Sequence, residues 1–280
     1  MNYKIGIDYG GTKIEGILIN DKGEEILRKR SGYEKNYESG VDTIKNLVEE
    51  FDKHTNSKNS VGIGIPGSSS KENGLIKNAN SIWLNGKPFK KDLEMSLDRE
   101  IKIMNDANCF ALSEAIDGSG ANYNTVWGVI IGSGFGGSFV HNKKVVEGVN
   151  QVAGDWGHQP LPYPSKEEWD LNLKCPVDNC GRPLCAEQFI SGIGFTNIFN
   201  RKYKTNFTTK EIVDLELNGD ERAKKEFELY EDRFARLIAV MIGIVDPDVI
   251  ILGGGMSNIE RLYSNIPKLL PKYTFSDKVR

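Results

Sequence analysis

The strongest constraint on the fold is a pattern that occurs twice: an alternating apolar stretch, a glycine turn and a second such stretch. The first copy spans residues 3–19 and turns at Gly10-Gly11. Period-two alternation on both sides of the glycines predicts a β-hairpin. A second turn at residues 20–23 leads to another short strand near 25–28. In the other copy, residues 126–131 are apolar, Gly132-Ser133-Gly134-Phe135-Gly136-Gly137 forms the turn, and Ser138-Phe139-Val140 returns. Asn142-Lys143-Lys144 then turns into Val145-Val146. Two hairpins of one plan, each opening a half of the chain, predict a duplicated α/β domain. Composition becomes small and polar at residues 118–122, which predicts domains 1–118 and 119–280.

Between the hairpins, Val41, Ile44, Leu47, Val48 and Phe51 stand at helical spacing within 38–55, an amphipathic helix. Residues 60–67, Ser-Val-Gly-Ile-Gly-Ile-Pro-Gly, read as a buried strand ending in a turn whose small residues let another group approach. Residues 74–86 are amide-rich and aperiodic, which fits either a polar ligand-facing loop or a surface loop. A short helix over 89–97 and an apolar strand then lead to Asn105-Asp106, and a helical pattern runs out through 109–115. Near the other end, a helix over 220–244 precedes Asp246-Pro247, a buried strand 248–252, Gly253-Gly254-Gly255 and a helix over 259–270. Gly132, Gly134 and Gly137 match G-x-G-x-x-G, but that fingerprint requires a helix after the turn, and Ser138-Phe139-Val140 reads as a strand. A Rossmann domain is therefore not expected.

The chemistry follows from these junctions. Glycine turns let backbone N–H groups approach a phosphate; here Thr12 adds a hydroxyl, Lys13 a charge, and Asp8 a carboxylate able to hold magnesium through water. Asp106 stands where a strand gives way to a helix, beside unpaired N–H groups that favour its ionised form. It suits an Asx cap, or a base for phosphoryl transfer if a nucleotide lies between the glycine turns. Cys175, Cys180 and Cys185 are separated by four residues each, with His158 upstream. They fit a tetrahedral Cys₃His zinc site in a Pro/Gly-rich polar loop, or three unrelated thiols. His54 and His141 read as surface residues.

Lys and Arg number 36 against 39 Asp and Glu, a net charge of −3 with no basic block. That argues against nucleic acid as a main partner. No apolar run approaches the roughly 18–20 residues of a membrane span. The start leads straight into a strand rather than a signal peptide, and four cysteines make no disulfide framework, so a reducing cytoplasm is expected.

Taken together, Asp8-Tyr9-Gly10-Gly11-Thr12-Lys13, Gly64-Ile65-Pro66-Gly67, Asn105-Asp106-Ala107-Asn108, the 132–137 turn, Gly157-His158, Cys180-Gly181, Cys185-Ala186-Glu187 and Leu252-Gly253-Gly254-Gly255 form a specific set. On them the chain resembles the ROK group of bacterial sugar kinases, within the actin/hexokinase-like superfamily. The stretches 77–86 and 154–158 look most like the fructokinase/mannokinase branch, with N-acetylglucosamine kinases next. The resemblance implies an α/β fold of duplicated actin/hexokinase-like (ribonuclease H-like) domains with a cleft between them. It implies Asp106 as general base, with Gly67, Asn80, Asn105, Asp155, His158 and Glu187 around the sugar. ATP would contact Gly6, Ile7, Asp8, Tyr9, Gly10, Gly11, Thr12 and Lys13 on one side. On the other it would contact Gly132, Ser133, Gly134, Phe135, Gly136, Gly137, Ser138 and Phe139, with Gly254 and Gly255 beside adenosine. Zinc would bind His158, Cys175, Cys180 and Cys185, and a homodimer is implied. Three residues depart from the family pattern, among them Leu184, which replaces the last glycine of the zinc motif. Asp155 replaces a usual Glu, and Asp178 stands where the first zinc cysteine usually lies, with Cys175 three residues earlier.

The reaction so implied moves the γ-phosphoryl group of ATP, with Mg²⁺, to the 6-hydroxyl of fructose or mannose. N-acetylglucosamine kinase or glucokinase activity is the alternative. A rival of another class is a non-catalytic sugar-binding regulator, but the family's repressors carry a helix-turn-helix ahead of the first hairpin. Here the hairpin begins within the first ten residues.

Overall fold

The computed structural model describes residues 2–171, 180–276 and 278–279. Cys175 and Asp178 lie outside them. The chain divides into two compact units, Met1–Cys109 and Phe110–Arg280.

In the first unit, β1 (Lys4–Tyr9) and β2 (Lys13–Ile19) form the expected antiparallel hairpin, from Lys4↔Ile19 to Tyr9↔Ile14. β3 (Glu25–Gly32) continues the meander further than alternation alone predicts. Helix α1 (Tyr37–Thr55) starts at Asn36, whose side chain accepts the Ser39 N–H, and ends at Asn56 in the left-handed conformation. Its buried face is the predicted stripe of Ile44, Leu47, Val48 and Phe51, with Val41 partly covered. β4 (Ser60–Ile65) then lies parallel beside β1. Two short strands, β5 (Ser68–Ser69) and β6 (Ile76–Lys77), pair within the next loop, and a 3₁₀ turn follows at Ile82–Leu84. α2 (Phe89–Leu97) leads to β7 (Ile101–Asn105), parallel to β4, and α3 (Asp106–Ile116) follows at once. The sheet order is β3-β2-β1-β4-β7. Because β1, β4 and β7 are parallel, their C-terminal ends share one edge, the usual ligand edge of an open α/β sheet.

The second unit repeats this plan. β8 (Thr125–Ile131) and β9 (Phe135–His141) form an antiparallel hairpin, and β10 (Lys144–Val145) continues it. Helices α4 (Lys166–Asp170), α5 (Glu187–Ile190), α6 (Gly192–Tyr203), α7 (Thr209–Leu217) and α8 (Glu221–Val245) come before β11 (Val249–Gly253). β11 is parallel to β8, and α9 (Arg261–Leu269) follows. The order β10-β9-β8-β11 has the sense of β3-β2-β1-β4, so the duplication legible in the sequence is present in the sheets.

Two expectations are corrected. The turn of the second hairpin is only residues 132–134, since Phe135, Gly136 and Gly137 already pair with Ile131, Ile130 and Val129. The units divide within α3 rather than at residues 118–122, because Ala111 and Ala115 pack with Val126 and Val140 of the second sheet. That β9 is a strand removes the dinucleotide fingerprint. Among the described residues, no helix is long and apolar enough to cross a membrane.

The core of the second unit is aromatic: Phe195 lies 4.7 Å from Phe227 and 5.3 Å from Tyr230 by ring centroids. Beside it sits a buried ionic cluster. Glu168 accepts from Arg233 Nε at 2.8 Å and from Arg236 at 2.6 and 3.2 Å, tying the 160–170 loop to α8. Burial alone would raise the Glu168 pKa, but Arg236, the Ser165 N–H and Arg233 outweigh it and hold the carboxyl below its usual range. Removing one partner of such a cluster leaves buried charge uncompensated. Glu168→Gln is therefore expected to destabilise the fold by about 3 kcal/mol at pH 7 in chemical unfolding. The wild-type advantage is complete above the unfolded glutamate pKa of about 4.3 and disappears as pH falls through the lower folded value.

Candidate active site

The C-terminal edge of the first sheet carries a pocket of about 470 Å³, a size suited to a small ligand. Asp8, Tyr9, Gly10, Gly11, Asn80 and Asp106 line it, as do Lys35, Pro66, Ser81 and Trp83. Six residues singled out in the sequence thus come together, although they are spread over a hundred positions.

The β7–α3 junction sets the position of Asp106. The Asn105 side chain accepts the Ala107 and Asn108 N–H groups at 3.0 and 3.3 Å, so Asn105 caps the helix. Its amide also donates to the Gly67 carbonyl at 3.2 Å. The Asp106 carboxylate accepts the Ala107 N–H at 2.8 Å and remains exposed to the pocket. The surrounding protein raises its pKa, the Ala107 N–H opposes this, and the negative charge of Asp8 adds to the rise. Helix N–H groups alone therefore do not fix its ionisation, and the pocket makes it a stronger base than a free aspartate. Asp8 is raised as well, by burial and then by Glu15, with Arg30 opposing. Burial, Asp106 and Asp8 together push the Cys109 thiol up to about 11, which leaves it a poor nucleophile.

Gly67 needs its glycine. Its φ is +100°, and a Cβ there would stand 2.6 Å from the Lys77 carbonyl and 2.8 Å from Ala79. The Asn85 side chain clamps Ala79 through both its N–H, at 2.9 Å, and its carbonyl, at 3.0 Å, which fixes the loop carrying Asn80. In the first hairpin the Gly10 N–H bonds the Lys13 carbonyl at 3.1 Å, leaving Gly11 and Thr12 exposed at the tip. Gly6 and Ile7 lie within β1, and the Ile7 side chain belongs to the core.

The second unit holds the remaining candidates. In its hairpin turn the Gly132 N–H bonds the Gly134 carbonyl at 2.9 Å, and the Gly192 N–H bonds the Gly132 carbonyl at 2.8 Å. Ser133 is exposed at the tip, whereas the Phe135 side chain and Ser138 are buried, and the Phe139 ring lies tilted 5.7 Å from that of Trp127. The turn at Gly254-Gly255 is exposed and lies against residues 131 and 132. Glu187 is buried and accepts the Phe135 N–H at 3.0 Å, while its own N–H bonds the Gly157 carbonyl at 2.9 Å. Asp155 is exposed. His158, Cys180 and Cys185 converge, with His158 Nδ1 3.5 Å from Cys185 Sγ and the three ligand atoms within 4.8 Å of one another. These are the nitrogen and sulfur donors that zinc takes in closed tetrahedral sites.

The pocket also holds residues that the sequence did not single out. Ser81 and Trp83 sit in the amide-rich loop, and Lys35 just ahead of α1. A tryptophan inside the amide-rich, aperiodic loop was the available signal for the first pair.

Comparison with known proteins identifies the family and the fold. The sequence profile of the ROK family matches residues 4–279. The N-acetyl-D-glucosamine kinase of Vibrio parahaemolyticus is 37% identical over 275 residues, covering 97% of this chain and 90% of that one. The ROK hexokinase of Thermus thermophilus superposes with a TM-score of 0.83 at 22% identity, covering 97% and 88% of the two chains. A ROK family glucokinase from Streptomyces griseus, solved with glucose and AMPPNP, gives 0.79 at 23%, covering 100% and 92%. At those identities the two solved structures speak for the fold, an actin/hexokinase-like α/β fold. The chain belongs to the ROK family.

Proposed function

We propose that this protein is an ATP-dependent sugar kinase that phosphorylates the 6-hydroxyl of N-acetylglucosamine. The observation that carries the kinase reading is Asp106 exposed in a pocket beside the Gly10-Gly11 turn and Asp8. The sugar rests on relatives such as the Vibrio enzyme, and it displaces fructose and mannose, which the loop motifs had suggested. Asn80, Asn105 and Gly67 in the first unit, and Asp155, His158 and Glu187 in the second, would hold sugar hydroxyls. In the reaction Asp106 accepts the proton of the 6-hydroxyl, the oxygen bonds to the γ-phosphorus, and the bond from that phosphorus to the β,γ-bridging oxygen breaks to release ADP. The backbone N–H groups of the two hairpin turns would hold phosphate oxygens, with Gly254 and Gly255 beside the adenosine. Asp8 would hold Mg²⁺ through water, and that ion would neutralise phosphate charge. A homodimer, as the resemblance implies, belongs to the same reading.

A panel of hexoses with ATP and Mg²⁺, read by ADP formation, tests the assignment. N-acetylglucosamine is expected to lead in kcat/KM, and a lead by fructose or mannose would overturn the sugar. Asp106→Asn is expected to leave sugar binding nearly intact and to lower kcat by roughly 10²-fold, the usual scale for a lost general base. Turnover within threefold of wild type would remove Asp106 from that role.

The pH profile supplies a separate check. A base works only when ionised, so kcat/KM rises with pH through the Asp106 pKa. Since that pKa is raised, the acid limb is expected above the ordinary aspartate value of about 3.9. Asp8→Asn removes a negative neighbour, so it should shift the limb to lower pH at saturating Mg²⁺. A limb that does not move, or moves upward, contradicts the coupling.

The zinc reading rests on the convergence of His158, Cys180 and Cys185. Zinc would anchor the turn carrying His158 next to Glu187, and one His158 nitrogen can serve metal while the other faces a hydroxyl. Elemental analysis is expected to find one zinc per chain. Cys180→Ser and Cys185→Ser should lose both the metal and sugar affinity while the fold survives. Cys175→Ser decides whether that cysteine or Asp178 completes the set. Fully active protein without zinc would refute the structural role.

A further inference from the structure

Five aromatic residues in the first unit, Tyr9, Tyr33, Tyr37, Trp83 and Phe89, form a connected cluster whose side chains have no step assigned to them in the reaction as described. Tyr33 donates its hydroxyl to the Gly10 carbonyl at 2.9 Å, tying the segment after β3 to the first glycine turn. Its ring lies 5.2 Å from that of Tyr9 and 6.2 Å from that of Trp83. Trp83 in turn donates its indole N–H to the Tyr9 hydroxyl at 3.0 Å. Tyr9 is 1% exposed and packs edge-on against Phe89 at 5.5 Å. The path runs without a gap from the Gly10 turn, through Tyr33 and Tyr9, to the loop on which Trp83 stands three residues after Asn80.

The two ends of this path are the elements to which the kinase reading assigns different substrates. We propose that Tyr33 and Trp83 are positioning residues: Tyr33 orients the nucleotide turn, Trp83 orients the sugar loop, and Tyr9 joins the two. The inference rests on the kinase reading for the identity of the substrates. A backbone carbonyl held by a hydroxyl cannot rotate freely, and the N–H groups of the same turn are thereby aimed. Likewise, an indole fixed at its nitrogen presents one constant face to the pocket. Neither residue needs to touch a reacting atom.

Removing single polar atoms separates this role from mere packing. Tyr33→Phe keeps the ring and deletes the hydroxyl, and Trp83→Phe keeps an aromatic group and deletes the N–H. Losing one neutral hydrogen bond corresponds to about a three- to tenfold change in an equilibrium constant. Tyr33→Phe is expected to raise the KM for ATP by that factor and leave the sugar KM within twofold. Trp83→Phe should do the reverse. Tyr9→Phe removes the acceptor of the same indole bond, so it should match Trp83→Phe, and the double variant should be no worse than either single one. Thermal melting run alongside identifies the alternative: a fall in Tm with both KM values within twofold of wild type overturns the proposal. Fully additive effects of Tyr9→Phe and Trp83→Phe overturn the link through Tyr9. If the wild type forms no ADP with any sugar, the kinase reading fails. Calorimetric Kd values for Mg·ADP and N-acetylglucosamine then still report on the two ends. Values unchanged by the variants, or no binding by the wild type, overturn the proposal.

Discussion

The amide of Asn105 holds the first unit's pocket together. Its oxygen takes the N–H groups that open α3, and its nitrogen reaches the Gly67 carbonyl across the sheet edge. One side chain thus satisfies a helix terminus and fixes the turn after β4, with Asp106 as the next residue in line. An aliphatic residue here would remove the acceptor shared by the Ala107 and Asn108 N–H groups and the donor to the Gly67 carbonyl, and would leave the Ala107 N–H to Asp106. Asp106 owes its direction to this arrangement, and its raised pKa to the protein around it and to Asp8.

The parallel strands turn that local arrangement into a site. β1, β4 and β7 end at the same edge, so Asp8, Pro66 and Asp106 meet although long stretches of chain separate them. The second unit repeats the hairpin and the parallel fourth strand but uses its edge differently. There the glycine turn is braced by Gly192, and Glu187 is spent partly on the Phe135 N–H. The same scaffold therefore presents an open carboxylate in one unit and a buried, hydrogen-bonded one in the other. In the proposed reaction this matches a division of labour between a base and a binding group.

Most of the architecture was legible in residue order because it depends on short-range periodicity. Alternation around Gly10-Gly11 marked the first hairpin, the Ile44–Leu47–Val48–Phe51 stripe marked α1, and Asp220 marked the start of α8. The misplaced domain boundary has a different origin. Composition does become small and polar at residues 118–122, but Ala111 and Ala115 commit the second half of α3 to the other core. Small residues carry little periodic signal, so a helix shared between two units looks like an element of one.

The chain's sequence by itself determined the duplicated hairpin plan and the rejection of a dinucleotide helix, and it singled out Asp106 as a candidate base and His158, Cys175, Cys180 and Cys185 as candidate ligands. Each follows from residues whose type and local spacing restrict the backbone or the chemistry. Only the tertiary structure decided that Lys35, Ser81 and Trp83 join Asp106 in one pocket, and that Tyr33 reaches the Gly10 carbonyl. It also decided that Asp106 is a stronger base than its helix junction suggests. The reason is physical: these properties depend on which groups crowd together in space, and the charge of Asp8 acting on Asp106 leaves no mark on the residues beside either one in sequence.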